Sequence, residues 1–329
     1  MIVVLSPLPD ELDRSFLGRL TRLNGLQTKA EIVEMLTLSC SVSGPILRNS
    51  CTLELLGNST RMAMPEFVQW HSMMPLRRGI TENWPKNLHG DPTNRSMLRL
   101  SGMRLARQAA YFCTVCVETD LTDIGMSYWR RDHQIPGMSA CGDHLNALCY
   151  VDDINAFSYA PSEFLATRMA VAIAWADAQY CHVGIRNFIA LSRILIRQPR
   201  PIPANLLTAL LRERARRHGW RRNSKSFLSD LIWSRFPEDW LLNVLPEFSG
   251  KIKGEQLKMV DRVLYSEAAV SSTSFILASS LLFETAEELF TSLDIDVKNV
   301  SAGFSTKAEV FEKESSVAGV AKTASLSLA

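Results

Sequence analysis

Residues 111–150 read YFCTVCVETDLTDIGMSYWRRDHQIPGMSACGDHLNALCY, and four side chains in this stretch organise the middle of the chain. Two residues separate Cys113 from Cys116, twenty-four separate Cys116 from Cys141, and two separate Cys141 from His144. A two-residue gap lets both side chains of a tight turn converge on one ion. Two such turns complete a tetrahedron of three thiolates and one imidazole. Soft sulfur plus nitrogen in a closed set favours a structural Zn2+ ion, one per chain. Such an ion contributes on the order of 10 kcal/mol in small zinc modules. A lone CxxC arises by chance, and the CxxH that follows is what makes chance a poor account. His133 and Cys149 belong to neither turn and are expected as a packed or surface histidine and a core cysteine. A redox role for Cys113 and Cys116 calls for a strand running into a helix N-terminus in an electropositive setting. Thr114-Val115 followed by an acidic VETD run supplies no such setting.

Upstream of this segment the pattern is helical. Leu12, Phe16, Leu17, Leu20 and Leu23 recur at helical spacing after Pro9-Asp10-Glu11, and Asn24-Gly25 supplies a stop. A second helix is expected over about 28–37 with Ile32, Val33, Met35 and Leu36 inward, and a short one over 53–56. Asn58-Ser59-Thr60 offers caps for the MPEFVQWHSMMPL segment. Several short helices with tight turns suit a helix-turn-helix fold and any small helical bundle equally. Residues 79–103, with their Gly, Pro and Asn, read as loop.

Downstream, a long apolar helix is expected from Ser162 or Glu163 through Gln179, then helices at about 185–197, 203–217, 225–235 and 257–283. Pro199, Pro201 and Pro203 mark a joint. The fold class is mainly α: a helix-turn-helix-like N-terminal domain (1–105), a zinc-finger module with a small hairpin (106–152), and a C-terminal helical DNA-binding domain (160–300). The Ser/Ala-rich end, 301–329, reads as a disordered tail.

The charge is unevenly spread. Residues 186–225 hold eleven Arg/Lys against one acid, Glu213, which points to a local anionic partner. The stretch LLTALLRERARRHGWRRNSKSFLSDLIW from Leu206 has an apolar face of Leu206, Leu207, Leu210 and Leu211. Arg212, Arg214, Arg216 and Arg217 crowd the C-terminal half of that helix, His218-Gly219 can turn the chain, and Asn223 or Ser224 can cap a second helix. Helix, glycine-containing turn, helix is the arrangement that sets a second helix into a major groove. The expected contacts to double-stranded DNA are Arg212, Arg214, Arg216, Arg217, Arg221, Arg222 and Lys225. Arg186, Arg193 and Arg197 share a helical spacing that extends the strip. One or two arginines here would simply complement the helix dipole; seven against one acid favour nucleic acid.

The order CxxC, Gly125-x-x-Tyr128-Trp129-Arg130-Arg131-Asp132, His133-Gln134-Ile135-Pro136-Gly137, CxxH resembles the TniQ/TnsD family of transposon target-site selection proteins. Pro7-Leu8-Pro9-Asp10-Glu11, RLTRLNG at 19–25 and HSMMPL at 71–76 extend the resemblance to about 150 residues. The family usually has proline after the first and third zinc cysteines, where this chain has Thr114 and Gly142, and glycine after the ligand histidine, where it has Leu145. The resemblance implies a target-site selector that recruits an AAA+ ATPase (TnsC-like) and, through it, a transposase. The alternative it carries is an adaptor docking on a CRISPR effector (Cascade) for RNA-guided transposition; a homodimer is a further expected partner state. The absence of a second cysteine-rich finger favours the branch that reads DNA itself.

Other classes fit less well. At 47% hydrophobic and 21% charged the composition is that of a globular chain rather than a disordered one. Seven cysteines without an even ladder do not read as a disulfide scaffold. No signal peptide is evident, and the most apolar stretch, Phe164 to Ala176, is too short for a bilayer. The expected location is the bacterial cytoplasm, at the nucleoid. GxxxxGK[ST] is absent and no triad or carboxylate cluster stands out, so no enzyme is expected; a zinc-dependent one would need an open coordination position. Tyr128, Trp129 and Trp70 are expected in the core around the zinc, His71 as a packed histidine, and Cys40, Cys51 and Cys181 as small core residues.

Overall fold

The computed structural model describes residues 3–39, 50–82, 87–218, 227–265 and 271–295. The expected tail therefore lies outside the described residues. The described residues are mainly helical, as the sequence pattern implies.

The N-terminal part is a bundle of short helices: α1 (Asp13–Leu23), α2 (Lys29–Ser39), α3 (Thr52–Ser59), α4 (Met64–His71), α5 (Met74–Arg77) and α6 (Arg95–Ser101). Leu12, Phe16 and Leu20 line one side of α1 and are fully buried. The helix stops at Asn24, and Gly25 follows at φ +67, a left-handed conformation that glycine adopts without penalty. Thr28 and Glu31 cap α2: the Thr28 hydroxyl accepts from the Glu31 N–H, and Glu31 accepts from the Gln27 N–H. Ile32 and Leu36 are buried and Val33 and Met35 half-buried. These helices enclose their own core of Phe16, Leu20, Ile32, Leu36, Leu53, Phe67 and neighbours.

Two local expectations are corrected here. Asn58-Ser59-Thr60 does not cap the next helix. Asn58 and Ser59 belong to α3, and Thr60 closes it through its N–H and hydroxyl to the Gly57 carbonyl. Helix α6 lies inside the expected loop 79–103. The Asn94 side chain caps it by accepting from Met97, and Leu98 drops into the core, so one cap and one apolar anchor suffice for two turns.

The middle of the chain carries a three-stranded antiparallel sheet, β2 (Ala110–Phe112), β3 (Cys149–Val151) and β4 (Met169–Ala170), in that order across the sheet. The expected hairpin is thus larger by one strand. That strand comes from the segment read as a long helix from Ser162 or Glu163, and helix α8 spans only Ile173–Cys181. The reason is a competition for backbone bonds. The Val171 N–H reaches the Leu148 carbonyl at 2.9 Å, so this stretch pairs sideways with β3 instead of coiling on itself.

The C-terminal part contains α9 (Val183–Leu195), α10 (Ala204–Arg217), α11 (Leu228–Arg235), α12 (Glu238–Val244), α13 (Lys258–Asp261), α14 (Ser272–Leu282) and α15 (Ala286–Ser292). The expected helix 257–283 is divided into α13 with a following 3-10 turn and α14; residues 266–270 lie outside the described ones. The proline joint forms β5 (Ile202–Pro203), which pairs in parallel with β1 (Ile80–Thr81) and so fastens the C-terminal helices to the N-terminal bundle. One continuous apolar core runs from Leu12 through the central sheet to Phe275, Leu277 and Phe290. Among the described residues no helix is long and apolar enough to cross a membrane.

Candidate metal centre and basic helix

Strand β2 delivers Cys113 to the N-cap of α7 (Thr114–Ile124), which places Cys116 in the first helical turn. The second pair sits on a hairpin. Ala140 faces Ala147 across an antiparallel bridge, and the Cys141 N–H bonds the Asn146 carbonyl at 2.9 Å. These two pieces bring the ligand atoms of Cys113, Cys116, Cys141 and His144 within 4.8 Å of one another. Cys116 Sγ lies 3.7 Å from Cys141 Sγ, and His144 Nδ1 lies 3.7, 3.3 and 3.6 Å from the sulfurs of Cys113, Cys116 and Cys141.

A tetrahedral zinc ion with its usual bond lengths sets sulfurs about 3.8 Å apart and sulfur to nitrogen about 3.6 Å apart. The donor set therefore fits a four-coordinate metal, and the three sulfurs are buried. Crowding sets the thiols against one another. Hydrogen bonds from Cys116 and Cys141 hold Cys113 down to about 3, and the same contact pushes Cys116 far up. A dication held there would resolve that conflict by taking all three as thiolates. The strand-into-helix setting that a redox pair would use is present after all, at β2 and α7. What separates this site from a redox pair is the third cysteine and the histidine against both sulfurs.

The chain's departures from the usual family residues have local consequences. Thr114 is the first residue of α7, a position at which proline is favoured. A Cβ at Gly142 would lie 2.8 Å from the Arg193 guanidinium, so glycine here lets Arg193 cross the Cys141–His144 turn closely. Leu145 has φ +59, in the left-handed region. Leu145→Gly is expected to stabilise the protein by about 1 kcal/mol, seen as a rise in the thermal midpoint. A fall in the midpoint would refute the strain argument.

The other motif residues meet around the same module. Residues 11 and 130 form an antiparallel bridge, and the Leu12 N–H bonds the Trp129 carbonyl at 3.0 Å. Glu11 is fully buried, with its carboxylate 2.7 Å from Arg19, and its carbonyl is 2.9 Å from Nδ1 of His71. Burial pushes His71 down to about 4, so it is a neutral, packed histidine. Trp129 fills the centre against Phe112, Phe157 and Phe164. Tyr128 is buried too, whereas Trp70 is 41% exposed and does not join this core. His133 and Cys149 are buried, as expected; Cys51 is half-buried, Cys181 is exposed contrary to expectation, and Cys40 lies outside the described residues.

Arg131 is completely buried and bonds Asp10 at 3.1 Å. Its neighbour Asp132 receives Arg193 at 2.9 Å and Arg197 at 2.8 Å. Arg193 and Arg197 therefore do not extend a basic strip. They clamp α9 onto the Cys3His module, and Arg186 donates to the Tyr180 carbonyl. Charged residues so close to an apolar helix face were the one hint of this in the sequence.

The basic helix divides in the same way. Arg212 donates to the Leu264 carbonyl, and Arg214 pairs with Glu288 over the Phe283 ring, tying α10 to its neighbours. Arg216 and Arg217 are exposed at the end of α10, Arg217 beside Glu213 one turn back. Arg221, Arg222 and Lys225, with the turn itself, lie outside the described residues.

These features define a mainly helical protein with a Cys3His module at its middle. Residues 2–148 match the TniQ family model, and the chain carries a TniQ domain there: it is a transposition-associated, TniQ-type protein. No curated protein matches the chain.

Proposed function

We propose that this protein is a non-catalytic target-site selector of the TniQ/TnsD type. It binds double-stranded DNA and recruits an AAA+ ATPase (TnsC-like) and transposase to the chosen site. The TniQ domain over 2–148 is the observation that carries the reading. One structural zinc ion on Cys113, Cys116, Cys141 and His144 holds the centre of the molecule, supported by ligand spacings close to those of a tetrahedron. The division into a domain over 1–105, a zinc module over 106–152 and a C-terminal domain over 160–300 is part of the same proposal. The DNA contacts are assigned to Arg216 and Arg217 and to the basic residues that follow, Arg221, Arg222 and Lys225. Arg212 and Arg214 serve to orient that end of α10 through Leu264 and Glu288.

Gel shifts with candidate attachment-site and random duplexes at two salt concentrations test the DNA step. Wild-type binding is expected to fall steeply with salt. The double variant Arg216→Glu/Arg217→Glu is expected to weaken binding about tenfold or more and to flatten the log–log salt slope by roughly 2. Binding that ignores salt, or a double variant that binds like wild type, would remove the assignment.

A further inference from the structure

The most apolar run of the sequence, Phe164 to Ala176, lies largely at the surface. Met169 is 44% and Ile173 73% exposed, and Ala170, Ala172 and Ala174 between and beside them are exposed too. Exposed apolar surface that is contiguous rather than scattered marks an interaction site. A groove of about 790 Å³ runs alongside, bordered by Tyr111 and Tyr150 of the sheet, Trp175 of α8, and Leu242 and Asn243 of α12.

The backbone at this place is open. Because Val171 bonds Leu148, the ladder alternates so that Tyr150 and Met169 exchange bonds while Ala170 turns its N–H and C=O away from β3. Strand β4 is the last of its sheet. The opposite edge is closed: the Gln134 side chain accepts from the Tyr111 N–H and donates to the Tyr111 carbonyl. One edge of the sheet is thus capped by a side chain, and the other is left with a free donor and acceptor.

Of the two charged side chains lining the groove, Arg107 and Asp152, the cation has no ion-pair partner among the described residues. Arg107 lies 3.2 Å over the Tyr111 ring and donates to the carbonyls of Ile135 and Met138. Its Nε is buried with no partner, and among the described residues no carboxylate pairs with it. A desolvated charge left in this state favours a ligand that brings the opposite one. Stacked nucleobases are a poor match, because the Tyr111 ring is already engaged by Arg107 lying over it and by Tyr150 stacked at 5.4 Å.

We propose that the β4 edge and this groove receive an extended, acidic and apolar peptide segment of a protein partner. The peptide backbone adds to Ala170, its apolar side chains enter beside Tyr150 and Trp175, and a carboxylate meets Arg107. Strand addition supplies affinity, and the alternate side chains supply selectivity. The inference stands apart from the DNA-binding reading and does not require it.

Fluorescence anisotropy on the full-length chain tests it with three labelled probes: an alternating Val/Glu octapeptide, the same peptide with Lys for Glu, and a dT12 oligonucleotide. The Glu peptide is expected to bind about tenfold tighter than the Lys peptide. Ala170→Pro, which removes the edge N–H at an exposed position, and Asn243→Trp, which fills the groove, are each expected to weaken it about tenfold with the melting curve unchanged. The two variants lie on different elements, so misfolding of one leaves the other informative. Equal or no binding of the two peptides, wild-type affinity in a folded variant, or binding of dT12 that these variants abolish would overturn the proposal.

Discussion

Cys141→Ser protein is expected to emerge from purification without tightly held zinc and to melt roughly 10 °C below wild type. Cys141 is the ligand that joins the two halves of the site, since its hairpin carries His144 while α7 and β2 carry Cys113 and Cys116. Removing its sulfur leaves three donors and a hydroxyl that holds zinc far less well than a thiolate. In an isolated zinc module such a loss unfolds the chain, because the metal supplies most of the folding free energy. Here the ligands also rest on a core that includes Phe112, Val117, Trp129 and Leu148. The loss should therefore be a few kcal/mol of partial loosening rather than collapse. Metal content by atomic emission and thermal melts with and without a chelator read both effects. Cys181→Ser, at an exposed cysteine outside the four-ligand set, is expected to keep full zinc and the wild-type midpoint. If Cys141→Ser kept one zinc per chain against the chelator, the four-ligand assignment would fail.

Asp132→Asn should be the second large effect, at about 3 kcal/mol of lost stability. The carboxylate holds two guanidiniums, Arg193 and Arg197, at 2.9 and 2.8 Å, and it belongs to the element that also buries Arg131. A neutral amide removes the carboxylate that both cations share in a desolvated joint, so the penalty is that of weakened charge compensation as much as of two lost bonds. Replacing Arg193 and Arg197 by methionine in the Asp132→Asn background is expected to recover part of the loss, which a mutant cycle can separate from additivity. A pH dependence follows with a definite sign. Burial raises the Asp132 pKa, but Arg193, Arg197 and Arg131 outweigh it and hold the group at about 2, below its unfolded value of 3.8. Its contribution is fully present above the unfolded value and is lost as pH falls through the folded one. Wild type should accordingly lose stability more steeply than Asp132→Asn between about pH 4 and pH 2. Parallel acid-melting curves, or an Asp132→Asn variant as stable as wild type at neutral pH, would show that the joint does not depend on this charge.

The motifs that suggested the family turn out to be the joints of the fold. Pro7–Glu11, His71 and the Tyr128–Asp132 stretch converge where the first helix, the Cys3His module and α9 meet. A lesion in any of them is expected to show first as instability, so a loss of function at these positions should be read beside a melting curve.

The sequence by itself determined what depends on neighbours a few residues away. The two pairs at CxxC and CxxH spacing, the amphipathic face of α1 with its Asn24-Gly25 stop, and the capped start of α2 are such features. Each is decided within one or two turns of chain, where spacing and geometry are nearly the same statement. The tertiary structure alone decided that residues 169–171 pair as a strand, because a backbone N–H bonds whichever carbonyl the fold supplies, and Leu148 lies twenty-three residues upstream. It likewise decided which arginines pair within the fold. A guanidinium is equally ready for phosphate or carboxylate, and the fold brings Asp132 to Arg193 and Glu288 to Arg214 from 61 and 74 residues away.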